Sequence, residues 1–156
     1  MDIRRRGILK AGGGSGVLAL AAAAGLLRPG EAFAQQWNKA AFETRSVADT
    51  LKALGGSGSS ESAQIQITAP DIAENGAVVP ITVESAIPRT QMIAILIEKN
   101  PNTLSANFEI PDGTDPFVTT RVKMAETSNI YAVVKADGRY FHAAKEVKVT
   151  LGGCGG

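Results

Sequence analysis

The residue best suited to chemistry is Cys154, the only cysteine of the 156-residue chain, which lies third from the C-terminus. Two pairs of glycines enclose it, Gly152 and Gly153 before and Gly155 and Gly156 after. A buried structural cysteine needs neighbouring side chains to pack against, and a catalytic cysteine needs a base nearby; this stretch supplies neither. The chemistry indicated is that of an accessible thiol, which can form a bond to another sulfur atom.

No second reactive group accompanies this thiol. The single histidine, His142, alternates with Tyr140 and Ala144 in a β-type pattern, which favours a surface or half-buried strand residue over a ligand. With one His and one Cys, the chain has no zinc or copper ligand set, and no G-x-S-x-G, H-E-x-x-H or phosphate-binding loop occurs. We therefore predict no catalytic residues, no metal site and no cofactor.

The N-terminus has the layout of a secretory signal. Basic residues precede a mildly apolar run, Val17–Leu27, and an A-x-A pattern follows at Ala32-Phe33-Ala34. The apolar run is about 11 residues long, whereas about 20 are needed to span a bilayer, so a cleaved signal is favoured over a membrane anchor. Residues 1–34 are predicted to be this signal, with cleavage between Ala34 and Gln35.

The basic head resembles the twin-arginine export motif. Arg5 and Arg6 are followed by a spacer, the apolar pair Ile8 and Leu9, and then Lys10. The motif prefers Phe where Ile8 stands, and Ser or Thr in place of the arginine before the pair. The prediction is a periplasmic protein that folds before it is exported.

The remaining chain, from Gln35, is long enough for one domain with one core. Without the signal, the chain keeps 11 of its 16 Lys and Arg residues and 13 of its 15 Asp and Glu residues, and it has no basic cluster. This charge balance argues against nucleic acid as a partner. One cysteine in an oxidising compartment cannot form an internal disulfide, so Cys154 is expected to be reactive or intermolecular.

Residues 35–62 are predicted to form a helix and a loop. Apolar residues recur at helical spacing from Trp37 to Leu54, and the polar, flexible GGSGSSES segment follows. Trp37 and Phe42 are expected to anchor the helix on the body of the protein.

Residues 63–151 show the period of two that is typical of strands. Turn residues such as Asn75-Gly76 and Asp137-Gly138 separate the apolar runs. This pattern predicts an all-β fold, an immunoglobulin-like antiparallel β-sandwich of about seven strands. The predicted strands are Ala63–Ala69, Ala77–Ser85, Gln91–Glu98, Leu104–Ile110, Phe117–Ala125, Asn129–Ala136 and Arg139–Leu151.

One strand segment, Met92–Ile97, is apolar at every position. Such a run indicates either a central strand that is covered on both faces or one face of a subunit contact. The central strand is the favoured interpretation, and the two are compatible.

The last strand leads directly into residues 152–156, which we call the C-terminal arm. Glycine has the widest backbone freedom and no side chain, so this arm is predicted to be flexible and thin. Extended from Leu151, it would hold the Cys154 thiol roughly 10 Å from the body. This geometry suits delivery of the thiol into a narrow active site on another protein.

The final strand followed by GGCGG resembles the C-terminus of the SoxY family, the sulfur-carrier subunits of the periplasmic thiosulfate-oxidising Sox system. The resemblance follows the mature chain in order: signal, helix, sandwich and arm. It implies that Cys154 holds sulfur intermediates covalently, as an S-thiosulfonate or persulfide, with Gly152, Gly153, Gly155 and Gly156 as its carrier arm. It also implies a constant SoxZ-like partner, transient contacts with SoxAX, SoxB and SoxCD, and no catalysis by the carrier alone.

The C-terminal sequence has three other possible interpretations besides a sulfur carrier of this family. A terminal Gly-Gly also marks ubiquitin-like sulfur carriers, but these act in the cytoplasm on a β-grasp fold with fewer strands. Prenylation requires the cysteine fourth from the end, and here it is third. The alternative that stays open is an exported β-sandwich module that dimerises through a Cys154 disulfide.

Overall fold

The computed structural model describes residues 38–151, which contain two short helices and nine strands. The helices are α1 Lys39–Phe42 and α2 Val47–Ala53. The strands are β1 Ser60–Glu61, β2 Ile65–Thr68, β3 Ile72–Ala73, β4 Val79–Ser85, β5 Thr90–Ile97, β6 Leu104–Glu109, β7 Phe117–Val122, β8 Ser128–Ala136 and β9 Arg139–Val149. All seven predicted strands are present, with ends shifted by a few residues.

The strands form two sheets, which confirms the predicted all-β sandwich. The larger sheet has the order β1-β9-β8-β5-β6, with β3 also paired to β9, and the smaller one has the order β2-β4-β7. The long strands pair antiparallel, as predicted, but β1 and β3 run parallel to β9 and were not predicted. Each is only two residues long, so neither shows the alternation by which strands are recognised in a sequence.

The main core lies between the two sheets. Along β4 the inward side chains Val79, Ile81 and Val83 are completely buried, while the residues between them face outward. They belong to one apolar cluster that also contains Ile93 and Ile130 from the larger sheet. Because successive side chains of a strand face opposite sides of the sheet, this alternating burial produces the period of two in the sequence.

The apolar strand β5 is central, which confirms the favoured reading of Met92–Ile97. It pairs with β6 on one side and with β8 on the other. Its odd-numbered side chains, such as Ile95, face the core between the sheets. Its even-numbered side chains, such as Ala94, pack in a second cluster with residues of the two helices. Both faces of β5 are therefore covered within the described chain.

The predicted single helix from Trp37 to Leu54 is instead two helices with a break at residues 43–46. Ser46 has an extended backbone and accepts a hydrogen bond from the Asp49 N–H (3.0 Å), which caps α2. The Thr44 and Thr50 hydroxyls are 2.6 Å apart and bridge the break. A side-chain cap competes with helix continuation, which explains the interruption. Phe42 packs against the second cluster as predicted, and Trp37 lies outside the described residues.

Tyr140 joins α2 to the larger sheet. Its hydroxyl donates a hydrogen bond to the Leu54 carbonyl at 2.5 Å. Gly56 lies between Tyr140 and Leu51: a Cβ at this position would be 2.8 Å from Leu51 Cδ1 and 3.1 Å from Tyr140 Cδ2. The close approach of the helix end to the sheet therefore depends on glycine at position 56.

We expect Gly56→Ala to lower the free energy of unfolding by about 1–3 kcal/mol, because the added methyl group overpacks a filled contact. Gly58→Ala in the same loop is the matched control, since a Cβ there meets no atom within 4 Å. The control should stay within about 0.5 kcal/mol of wild type in urea-induced unfolding. Equal stabilities of the two variants would contradict the packing described for Gly56.

Candidate functional site at the root of the C-terminal arm

Cys154 and the arm glycines Gly152, Gly153, Gly155 and Gly156 lie outside the described residues, which end at Leu151. The export residues Arg5 and Arg6 and the cleavage residues Ala34 and Gln35 also lie outside them. The described part of the predicted site is therefore its root, the last residues of β9 and the segments that hold them.

One side of the root is held by residues 71–76. The Leu151 carbonyl accepts a hydrogen bond from the Gly76 N–H at 2.7 Å, and the Thr150 N–H donates to the Ala73 carbonyl at 3.1 Å. The Thr150 hydroxyl donates to the Glu74 carbonyl at 3.0 Å. These bonds follow directly on the parallel pairing of β3 with β9. The backbone is thus fixed up to the last residue before the arm.

Residues 123–127 hold the root from a second direction. The Val149 N–H donates to the Thr127 hydroxyl at 3.0 Å, and the Met124 N–H donates to the Gly76 carbonyl at 2.7 Å. Met124 is itself completely buried in the core. The segment that binds Leu151 is therefore connected to the interior of the sandwich.

Asn100 positions this second segment. Its side-chain amide donates to the Lys123 carbonyl at 2.7 Å and accepts from the Ala125 N–H at 2.9 Å. In the sequence Asn100 precedes Pro101, a pair that indicates a turn. The signal was available, since Asn side chains commonly bond to backbone groups in turns, but the partners are more than 20 residues away in the chain.

The surface at the root combines apolar and charged side chains. Ile72, Val78 and Leu151 are exposed, although each is large and hydrophobic. Lys145 makes an ion pair with Asp71 at 3.0 Å and also donates to the Ala69 carbonyl at 2.6 Å. Sequence reasoning identified none of these side chains as part of the site.

His142 is half-buried on β9, as the sequence analysis predicted. Its Nδ1 atom lies 2.9 Å from the Ser59 hydroxyl, and its ring centroid lies 6.2 Å from that of Tyr131. Within residues 38–151, no group of three or more His, Cys, Asp or Glu side chains is placed to hold a metal ion. No helix in this part of the chain is long and apolar enough to cross a membrane.

A pocket of about 230 Å³ lies at the other end of β9, between the glycine-rich loop and the β8–β9 turn. Gly55–Gly58 and Arg139 are among the residues that line it. The strand rises about 3.3 Å per residue from Arg139 to Val149, so the pocket is about 30 Å from the root of the arm. The pocket and the arm root are therefore separate features.

Comparison with known proteins adds a family and a related structure. The model of a family described as sulfur oxidation protein SoxY matches residues 51–154, a range that includes Cys154. A solved structure of the sulfur carrier protein SoxY from Chlorobium limicola f thiosulfatophilum is 41% identical. It covers 73% of this chain and 100% of that chain, with a TM-score of 0.63.

Two further comparisons add no functional argument. A chain from a structure on T cell specificity and activation by the bacterial superantigen toxic shock syndrome toxin-1 is 12% identical. It covers 55% of this chain and 98% of that chain, and its TM-score of 0.37 is too low to indicate a shared fold. No curated protein sequence matches significantly.

The match over residues 51–154, together with the related carrier structure, establishes that this chain belongs to the SoxY family of sulfur oxidation proteins.

Proposed function

We propose that this sulfur oxidation protein carries thiosulfate-derived sulfur covalently on Cys154 and presents it to partner enzymes. The observation that carries the proposal is the fixed root: the Leu151 carbonyl is bound by the Gly76 N–H at 2.7 Å, three residues before the thiol. A carrier needs its attachment group on a short extension from a rigid body. The family match, which ends at Cys154, supports the same role.

The geometry limits how the thiol can be presented. Leu151 is fixed in space, and three residues of extended chain give the sulfur a reach of roughly 10 Å. Glycine on both sides of Cys154 adds no side-chain bulk next to the thiol. The thiol of such an arm can enter an active site that would exclude an ordinary strand or loop.

The chemistry requires a thiol and a partner. Loading joins the Cys154 sulfur to the outer sulfur of thiosulfate: R–SH + S₂O₃²⁻ gives R–S–S–SO₃⁻ + H⁺ + 2e⁻, so an oxidant must take two electrons. Hydrolysis then gives R–S–S–SO₃⁻ + H₂O → R–S–SH + HSO₄⁻, which leaves a persulfide on the carrier. An ordinary thiol has a pKa of about 8.5, so only a small fraction is ionised to the reactive thiolate at neutral pH. Loading of the carrier therefore needs a partner enzyme.

Partner enzymes supply the chemistry in this proposal. SoxAX loads the thiol, SoxB hydrolyses the terminal sulfone, and SoxCD oxidises the sulfane sulfur that remains. A SoxZ-like subunit is the constant partner of the carrier, and no cofactor is bound apart from the sulfur itself. The chain acts as a substrate carrier and catalyses none of these steps.

The proposed place of action is the periplasm. Arg5 and Arg6 direct export of the folded protein by the twin-arginine route, and cleavage between Ala34 and Gln35 releases the mature carrier. A SoxZ-like subunit without its own signal would cross the membrane bound to this chain.

Replacing the thiol tests the carrier function. We expect Cys154→Ser to abolish thiosulfate-dependent electron flow in a reconstituted system, since a hydroxyl cannot form the sulfur–sulfur bond. Stability should change by less than about 0.5 kcal/mol, as for other surface substitutions.

The matched control moves the thiol instead of removing it. The double variant Ser57→Cys, Cys154→Ser retains one cysteine per chain, on an exposed position of the glycine-rich loop. It should react with a small alkylating reagent but support no electron flow. Substantial turnover by either variant would refute the proposal.

Bulk in the arm tests the reason for its glycines. We expect Gly153→Leu to lower turnover by partner enzymes at least roughly tenfold, which is about 1.4 kcal/mol of barrier. Gly153→Ser is the matched control and should keep most of the activity, because serine is small and is also common in flexible linkers. Both variants should alkylate at the wild-type rate. Normal turnover by the leucine variant would show that width is unimportant.

A further inference from the structure

The pocket at the start of β9 has positive charge on its wall. Its lining residues include Arg139 and no Asp or Glu. Within residues 38–151 the Arg139 guanidinium makes no ion pair, and its Cζ lies 5.8 Å from the centroid of the Phe141 ring. The Lys135 Nζ lies 5.8 Å from the centroid of the ring of Tyr140, which is another lining residue. The pocket therefore favours a ligand with negative charge.

The acidic residue of the neighbouring turn does not cancel this charge. Asp137 precedes Gly138, which lines the pocket. Its carboxylate accepts a hydrogen bond from Arg89 Nε at 3.0 Å and forms an ion pair with the same guanidinium. The carboxylate closest to the pocket in sequence is thus already bound by a different cation.

The pocket also presents hydrogen-bond donors that have no partner in residues 38–151. They are the backbone N–H groups of Ser57, Gly58 and Gly138 and the hydroxyls of Ser57 and Ser60. A Cβ at Gly58 or Gly138 would meet no protein atom within 4 Å, so the space beside these two backbones is open. Backbone N–H groups that line a concave surface are a common means of binding anions.

Hydrogen bonds fix the glycine-rich loop, residues 55–58, on both sides. Before the pocket, the Gly56 N–H donates to the Leu51 carbonyl at 2.8 Å. After the pocket, the Ser59 hydroxyl lies 2.9 Å from His142 Nδ1, and the Ser62 N–H donates to the His142 carbonyl at 2.9 Å. A loop held in this way loses little conformational entropy when a ligand binds.

We propose that this pocket binds a small oxyanion, sulfate or thiosulfate, between Arg139 and the N–H groups of the glycine-rich loop. Its volume of about 230 Å³ is below the roughly 300 Å³ at which pockets for drug-sized ligands begin, which favours a small ion with its waters. The binding site is separate from Cys154. Only the choice of these two anions rests on the proposed function, in which thiosulfate is loaded and sulfate is released.

The test follows the backbone amide resonances of isotope-labelled protein by NMR while sodium sulfate replaces sodium chloride at constant ionic strength. Constant ionic strength keeps the screening of all surface charges the same. Cys154 is alkylated beforehand, so no sulfur can bind to the thiol and the result is independent of the carrier function. We expect the amide resonances of Ser57, Gly58 and Gly138 to shift and to saturate with a single dissociation constant.

We expect Arg139→Gln to raise this dissociation constant at least roughly tenfold, because its guanidinium supplies the charge-assisted hydrogen bonds. Arg121→Gln is the matched control. Arg121 is also an exposed arginine without an ion pair in residues 38–151, but it lies on β7 in the smaller sheet. Its loss removes the same charge and should leave the dissociation constant within twofold of wild type. Thermal unfolding confirms that both variants are folded.

A second titration with sodium thiosulfate identifies the anion. Tighter binding of thiosulfate would make the pocket a site for the substrate, and tighter binding of sulfate would make it a site for the product; either result supports the proposal. Shifts that do not saturate with either anion would refute it. Equal dissociation constants for wild type and Arg139→Gln would also refute it, as would an equal rise for Arg121→Gln, because binding would then follow from net charge alone.

Discussion

The structure depends on the fixation of the last residues of β9. The parallel pairing of β3 and the hydrogen bond from Gly76 to the Leu151 carbonyl hold the chain in place up to Leu151, three residues before Cys154. Without these bonds the final residues of β9 would fray, and Cys154 would no longer lie three residues beyond a fixed point. In the proposed carrier, this fixed point limits how far the Cys154 thiol can reach.

The rest of the sandwich supports this fixation. β9 pairs along nearly all of its length with β8, and β8 pairs with the central strand β5. On the other side, Met124 anchors residues 123–127 in the core, and Asn100 holds the backbone around it. In the proposed scheme the fold positions one thiol, and partner enzymes perform the reactions.

The sequence predicted the long elements and missed the local ones. Val79, Ile81 and Val83 alternate in the sequence because one face of β4 is buried, so β4 could be recognised. β3 could not, because two residues have no period and its partner lies more than 70 residues away. The exposure of Ile72 and Val78 could not be predicted either, since an apolar residue in or beside a strand is normally expected to be buried. The break between the helices depends on the Ser46 cap, which overrides an otherwise continuous helical pattern. Cys154 stays a prediction: the sequence singles it out as the only cysteine of the chain, and it lies outside the described residues.

The central claim is that sulfur is bound to Cys154, and the mass of the C-terminal peptide tests it most directly. The protein would be purified from cells growing on thiosulfate, without reductant, and digested before mass spectrometry. The carrier account predicts a population in which Cys154 bears a persulfide or an S-thiosulfonate, and treatment with a reductant should return it to the free thiol. Cys154 found only as a disulfide between two chains, or added mass only on Gly156, would contradict the account.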